Sequence, residues 1–213
     1  MKNRIVQVFL LAAMHCGMVL GLTACSVTTS PISAAARTES ASKPVESHST
    51  TNAAHCSAVD ETAERGVCHS LSPAGHHHGM CQPQSIPYAR CRSHIASCNL
   101  GNTSPVQLFN CEQQRGYTSS VPKPGALMSI GVNHIHHMST GHTLYVEEVC
   151  PNPDGTYKLR VSHTNYDRRC HLEEDAWIHY DPHTMHADFN TGHWAAWGKR
   201  LPVQGFILHE PAS

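Results

Sequence analysis

The chain has 213 residues with 15 basic and 16 acidic side chains, so its formal net charge at pH 7 is −1. Because the charges nearly balance and no basic patch forms along the sequence, nucleic acid is excluded as a partner. Hydrophobic residues make up 40% of the chain, which is ordinary for a globular domain, and we predict neither a cofactor nor a resident metal.

The N-terminus has the pattern of an exported lipoprotein. Lys2 and Arg4 precede a mostly apolar run that ends in LTAC at Cys25. Basic residues, an apolar run and small residues in this order are typical of a secretory signal. The run resembles a bacterial lipobox, which implies that Cys25 becomes the lipidated first residue. Because Ser26 follows the cysteine, the resemblance implies anchoring in the outer membrane, facing the periplasm.

Composition divides the rest of the chain. Residues 26–58 are rich in serine, threonine, alanine and proline and have no apolar period. Such a segment cannot bury enough surface to offset the entropy lost on ordering. We therefore predict a lipoprotein signal peptide over residues 1–24, a lipidated, disordered tether over 25–70 and one folded domain over 71–213. No second apolar run is long enough to cross a bilayer.

The cysteines predict a disulfide framework. The chain has ten, of which Cys16 leaves with the signal and Cys25 takes the lipid. An even set of eight remains, and in an exported protein such a set indicates up to four disulfides. The sequence does not determine which cysteines pair. A zinc site is the alternative interpretation, although no close paired spacing supports it. The eight are Cys56, Cys68, Cys81, Cys91, Cys98, Cys111, Cys150 and Cys170.

Helices are predicted before strands. QSIPYARCR (84–92) begins a helix with Ser85 as the expected N-cap and Pro87 in the first turn. SPVQLFNCEQQRG (104–116) begins a second helix at Ser104 and stops at Gly116. Strands are predicted within PGALMSIG (124–131), GHTLYVEEVC (141–150), YKLRVSHTN (157–165), AWIHY (176–180) and VQGFILH (203–209). This order favours an α+β domain with an antiparallel sheet.

The PNPDGT turn predicts a hairpin, and the register of its two strands predicts which residues face each other. If Cys150 faces Tyr157 at the turn, antiparallel pairing places His142 opposite Asn165. A histidine oriented by a neighbouring carboxamide forms the base and orienter of a cysteine-hydrolase triad.

These motifs together resemble the CHAP family of cysteine- and histidine-dependent amidohydrolases and peptidases. PYAR at a helix start, PGALM, GHTLYVEEV and VSHTNYD occur in order over residues 80–208. The resemblance implies a papain-like fold with N-terminal helices packed on an antiparallel sheet, and peptidoglycan as the substrate. It implies that Ser85 occupies the nucleophile position, that His142 is the base and that Asn165 is the third residue.

The departure from the family lies at the nucleophile, because Ser85 stands where a cysteine is expected. A hydroxyl has no anion comparable to a thiolate near neutral pH. Three interpretations remain open: a degenerate, non-hydrolytic domain or one inactivated by replacement of a native cysteine, a serine hydrolase, or rescue by Cys81 four residues earlier. If the domain is disabled at its nucleophile, Ser85→Cys is predicted to restore reactivity that depends on His142.

Nineteen histidines raise a further alternative, a periplasmic metal-binding lipoprotein. The runs GHHHG (75–79), NHIHH (133–137) and HTMHADFNTGH (183–193) contain imidazoles that suit zinc, copper or nickel. Trp194 and Trp197 could stack on sugar rings, but their spacing of three favours core packing of a helical turn. The sequence thus leaves an envelope hydrolase and a non-catalytic peptidoglycan- or protein-binding module as the main hypotheses.

Overall fold

The structure of the chain is a computed structural model that describes residues 55–59, 64–70 and 80–209. The predicted signal peptide, Cys25, most of the tether and the GHHHG run lie outside these residues. None of the described helices is long and apolar enough to span a membrane.

The helices of the described part are α1 (Glu64–Ser70), α2 (Ser85–Ser93) and α3 (Pro105–Gln114). The prediction for α3 is confirmed: the Ser104 hydroxyl accepts a hydrogen bond from the Gln107 amide, and the Gln107 side chain accepts one from the Ser104 amide. This reciprocal cap satisfies two amides that the helix itself leaves unpaired. Gly116 follows the helix with φ of 80°, a left-handed conformation that glycine adopts without steric cost.

The strands of the described part are β1 Ser57–Ala58, β2 Thr118–Ser119, β3 Leu127–Ile130, β4 His142–Pro151, β5 Tyr157–Thr164, β6 Leu172–Asp181, β7 His186–Phe189 and β8 Leu201–Ile207. Six of them close into an antiparallel β-barrel in the order β4, β3, β8, β7, β6 and β5, with β5 pairing back onto β4. The remaining two, β1 and β2, pair with β4 and β8.

The prediction of an α+β, papain-like CHAP fold is therefore wrong. The described residues form a mostly β domain whose three helices have seven, nine and ten residues. The strands were foreseen in part, but their closure was not, because it depends on β7, which has four residues. A strand this short carries too little periodicity to be assigned from sequence. Closure also pairs the sheet edges that an open sheet would expose.

Two apolar clusters divide the core. One fills the barrel interior and includes Leu144, Val161, Ile178 and Trp194. The other lies outside the barrel, where Tyr88 of α2 and other helix residues pack with Leu127, Tyr145 and Ile207 of the strands. Successive residues of a strand point to opposite faces, so β3, β4 and β8 each contribute to both clusters.

The β4–β5 hairpin was predicted one residue out of register at its turn. Pro151, rather than Cys150, pairs with Tyr157. A bulge after Val146 adds one residue to β4 and restores the predicted register further along the strand. The ladder ends at Tyr145, before the position at which the predicted histidine–asparagine pair would form.

The bulge also turns two successive glutamates of β4 toward the outside of the barrel. Glu147 is fully buried beneath the helices, where Arg92 of α2 donates to both of its carboxylate oxygens at 2.9 and 3.0 Å. Glu148 stays partly exposed and pairs with Arg160 of β5 at 3.0 Å. An uninterrupted strand would have sent one of the two into the apolar interior.

The predicted disulfide framework is confirmed for the described residues, and the zinc alternative lacks the free thiolates it requires. Two bridges fasten elements that lie within the predicted tether, since they attach the residues beside β1 to β4 and attach α1 to α2. Part of the segment predicted to be disordered, residues 55–59 and 64–70, therefore has defined structure. The four bridges are Cys56–Cys150, Cys68–Cys91, Cys81–Cys170 and Cys98–Cys111.

Candidate functional site

A cleft of about 1080 Å³ lies at the N-terminal end of α2. Its walls are the start of α2, the segment that leads into α3, and the loop between β3 and β4. All three residues predicted to form the site, Ser85, His142 and Asn165, border this cleft although they are far apart in sequence. The volume lies at the upper end of the range that small-molecule and peptide sites occupy.

Ser85 is not the helix cap that the sequence predicted. It is the first residue of α2, and Gln84 takes the N-cap position without a side-chain capping bond. Ser85 is 6% exposed, and its hydroxyl makes no hydrogen bond with the part of the chain that the structure describes. The amides of Ser85 and Ile86 have no acceptor within the helix, whereas Pro87 has no amide hydrogen to offer.

The ring of His142 lies inside one end of the barrel. Its Nε2 atom is 3.0 Å from Nδ1 of His163, so one of the two rings donates a hydrogen bond to the other. Both rings also meet Trp194 edge-on, with centroids 4.8 Å apart in each case. The barrel end is therefore a packed aromatic cluster that contains a histidine pair.

Burial keeps this histidine pair neutral. It lowers the pKa of His142 to about 3. The pKa of His163 is also well below its ordinary value, mainly because of burial and then because of the neighbouring His142 and His193. A histidine with so low a pKa is a poor proton acceptor at neutral pH.

Asn165 does not orient His142, so that predicted role is not formed. Its amide nitrogen donates to the Gln84 side chain at 2.6 Å, and its oxygen accepts from the Cys170 amide at 3.2 Å. The residue follows β5 with φ of 59°, in the left-handed region. Asn165 thus fastens the β5–β6 loop to the start of α2.

Sequence reasoning overlooked His163 as the partner of His142. The signal was present, because residues 159, 161 and 163 alternate onto the same face of β5 and the first two fill the barrel. The predicted register directed attention to the residue opposite His142, whereas the side chain that reaches the ring lies two positions earlier.

Ser85 and His142 lie on opposite sides of β4. Helix α2 packs on the outer face, where the Tyr88 hydroxyl donates to the Ser162 hydroxyl at 2.8 Å. The His142 ring shares the inner face with Leu144. Both residues reach the cleft only because it lies at the rim of the barrel, and no hydrogen bond between their side chains is found in the described residues. The arrangement lacks a preformed nucleophile–base pair.

The other hypothetical nucleophile, Cys81, is bonded to Cys170 and offers no thiolate. The described residues also contain one group of three ligand atoms close enough to share a metal, from Cys56, Glu148 and Cys150. Its two cysteines form a disulfide, so the donor set does not fit a metal ion.

Comparisons with known proteins add no assignment. No protein-family model matches the chain, and neither a curated protein nor a solved structure is significantly similar to it.

The neutral histidine pair predicts a loss of stability in mild acid. We expect the free energy of unfolding to fall by about 2 kcal/mol between pH 7.5 and pH 5 because of His142 alone. The unfolded chain binds a proton as the pH falls below about 6.5, whereas the buried ring does not until about pH 3. Urea denaturation at both pH values measures this change.

The matched comparison is the double variant His142→Gln/His163→Gln. In this variant the difference in the free energy of unfolding between pH 7.5 and pH 5 should largely disappear. Above pH 5 most carboxylates stay ionised, so they contribute little to the difference. Equal stability of the parent chain at pH 7.5 and pH 5 would show that the rings accept protons in the folded state.

Proposed function

We propose that this domain is a non-catalytic binding module of the bacterial cell envelope that holds peptidoglycan peptides in the cleft at the start of α2. The observation that carries the proposal is the separation of Ser85 and His142 onto opposite faces of β4 around a shared cleft. The site keeps room and polar groups for a ligand but lacks an activated nucleophile.

The chemistry of the cleft wall supports a peptide ligand. Carboxamide and hydroxyl side chains dominate the lining, and they offer both donors and acceptors to peptide groups. Asn99 and Asn102 are exposed there, and their side chains form no hydrogen bonds with the described residues.

The choice of peptidoglycan rests on the sequence. The lipobox ending at Cys25 favours the cell envelope, where peptidoglycan lies within reach of a tethered domain, and the motifs that resemble the CHAP family favour the same ligand although the fold that they implied is not the fold formed. In this proposal acyl chains on Cys25 hold the chain at the membrane, and the tether lets the domain reach the wall.

Sedimentation with insoluble peptidoglycan tests the proposal. The full chain should sediment with the wall material and release no soluble fragments. Ser139 is an exposed residue of the cleft wall. Replacing it with tryptophan should reduce the bound fraction at least about fivefold, because the new ring obstructs part of the cleft.

Ser120→Trp is the matched control, since Ser120 is also exposed but lies outside the cleft, at the loop where its carbonyl accepts a bond from Tyr180. Its binding should equal that of the parent chain. Absence of binding would contradict the proposal, and release of soluble fragments that Ser85→Ala abolishes would identify a serine hydrolase instead.

A further inference from the structure

The cleft is unusual in its charge. None of its 21 described lining residues is an aspartate or a glutamate, although the whole chain has 16 acidic side chains. Arg90 is the single lysine or arginine among those lining residues. Burial lowers the pKa of His142, so the imidazole adds no charge at neutral pH. The electrostatic character of the cleft therefore depends on Arg90.

Neighbouring backbone carbonyls hold the Arg90 guanidinium in place. Nη1 donates to the carbonyls of Ile95 and Ser97 at 2.9 and 2.7 Å, and Nη2 donates to that of Cys98 at 3.0 Å. A guanidinium has five N–H donors, so these three bonds leave two without an acceptor among the described residues. The head group is thus fixed in orientation before any ligand binds, which lowers the entropic cost of recognition.

The charge of Arg90 is not neutralised by a direct ion pair. No carboxylate of the described residues lies within 4.0 Å of its guanidinium nitrogens. The nearest acidic influence is Glu112, which acts on Arg90 through space. Glu112 is itself paired with Arg115 at 3.5 Å and accepts a hydrogen bond from the Ser97 hydroxyl. A positive potential therefore remains at the cleft wall.

We propose, resting on the function proposed above, that Arg90 binds a carboxylate of the ligand and that the cleft selects acidic peptides over their neutral counterparts. A fixed guanidinium with two unused donors matches the two oxygens of a carboxylate. The absence of acidic side chains from the described cleft wall removes the repulsion that such a ligand would otherwise meet.

Calorimetric titration of the full chain with two synthetic peptidoglycan stem peptides tests this proposal. One peptide carries free carboxyl groups, and in the other every carboxyl group is a primary amide of nearly the same shape. The free acid should bind about tenfold more tightly, because a charge-assisted hydrogen bond is replaced by a neutral one in the amide. The difference should shrink as salt is raised, since ions screen a partly exposed pair.

Arg90→Gln should remove the preference, because it should weaken the binding of the free acid and leave that of the amide unchanged. The control Arg115→Gln changes a neighbouring arginine outside the cleft and should preserve the preference. Far-ultraviolet circular dichroism checks that each variant is folded. If Arg90→Gln does not fold, the affinities of the two peptides for the parent chain still test the proposal. Equal affinity for both peptides overturns the role of Arg90 and leaves the proposed function standing, whereas binding of neither peptide overturns both.

Discussion

Replacing Glu147 with glutamine is expected to lower the free energy of unfolding by about 3 to 5 kcal/mol. The carboxylate is fully buried and accepts hydrogen bonds from Arg92 and from the Ser162 hydroxyl at 2.6 Å. It also lies 3.2 Å from Nε of Arg65. Glutamine has nearly the same shape as glutamate but no charge. The two buried guanidinium groups would therefore lose the negative charge of this carboxylate.

Glu148→Gln is the control for this prediction, and it differs by one position in the same strand. Glu148 also faces outward but is partly exposed, and its ion pair with Arg160 lies near solvent. Its loss should cost less than about 1 kcal/mol. Urea denaturation at pH 7 gives both values, and equal effects of the two substitutions would contradict the role assigned to the buried network.

Local features of this domain could be predicted from the sequence because short-range chemistry determines them. The reciprocal cap of α3 needs a serine and a glutamine three residues apart, and Ser104 and Gln107 supply both. The turn between β4 and β5 follows from a Pro-Asn-Pro-Asp-Gly segment. An even number of cysteines behind a predicted export signal predicted the disulfides without their connectivity.

Closure of the barrel and the composition of the site could not be predicted in the same way. The carboxylate of Glu147, at the bulge, pairs with arginines that come from helices far away in sequence. The predicted register placed Asn165 opposite His142, but the β4–β5 ladder ends at Tyr145, before that pair can form. The convergence of Ser85, His142 and Asn165 on one cleft was predicted, whereas the contact of His142 with His163 depended on the three-dimensional packing.

A cysteine at position 85 should be reactive, but its reactivity should not depend on His142. In Ser85→Cys, the thiol lies at the start of α2, where unpaired amides favour the thiolate. The ring of His142 lies on the other face of β4, and burial holds its pKa at about 3. The histidine therefore cannot form the imidazolium that activates the thiol in a cysteine hydrolase.

The decisive measurement is the rate of alkylation of Ser85→Cys by iodoacetamide between about pH 5 and pH 9, with and without His142→Gln. The parent chain, measured in parallel, gives the background from any other thiol. We predict an apparent thiol pKa near or slightly below the ordinary value of about 8.5, and rates that agree within about threefold in the two backgrounds. A thiol pKa below about 6 that returns to the ordinary value in His142→Gln would reveal a working nucleophile–base pair and contradict a non-catalytic cleft.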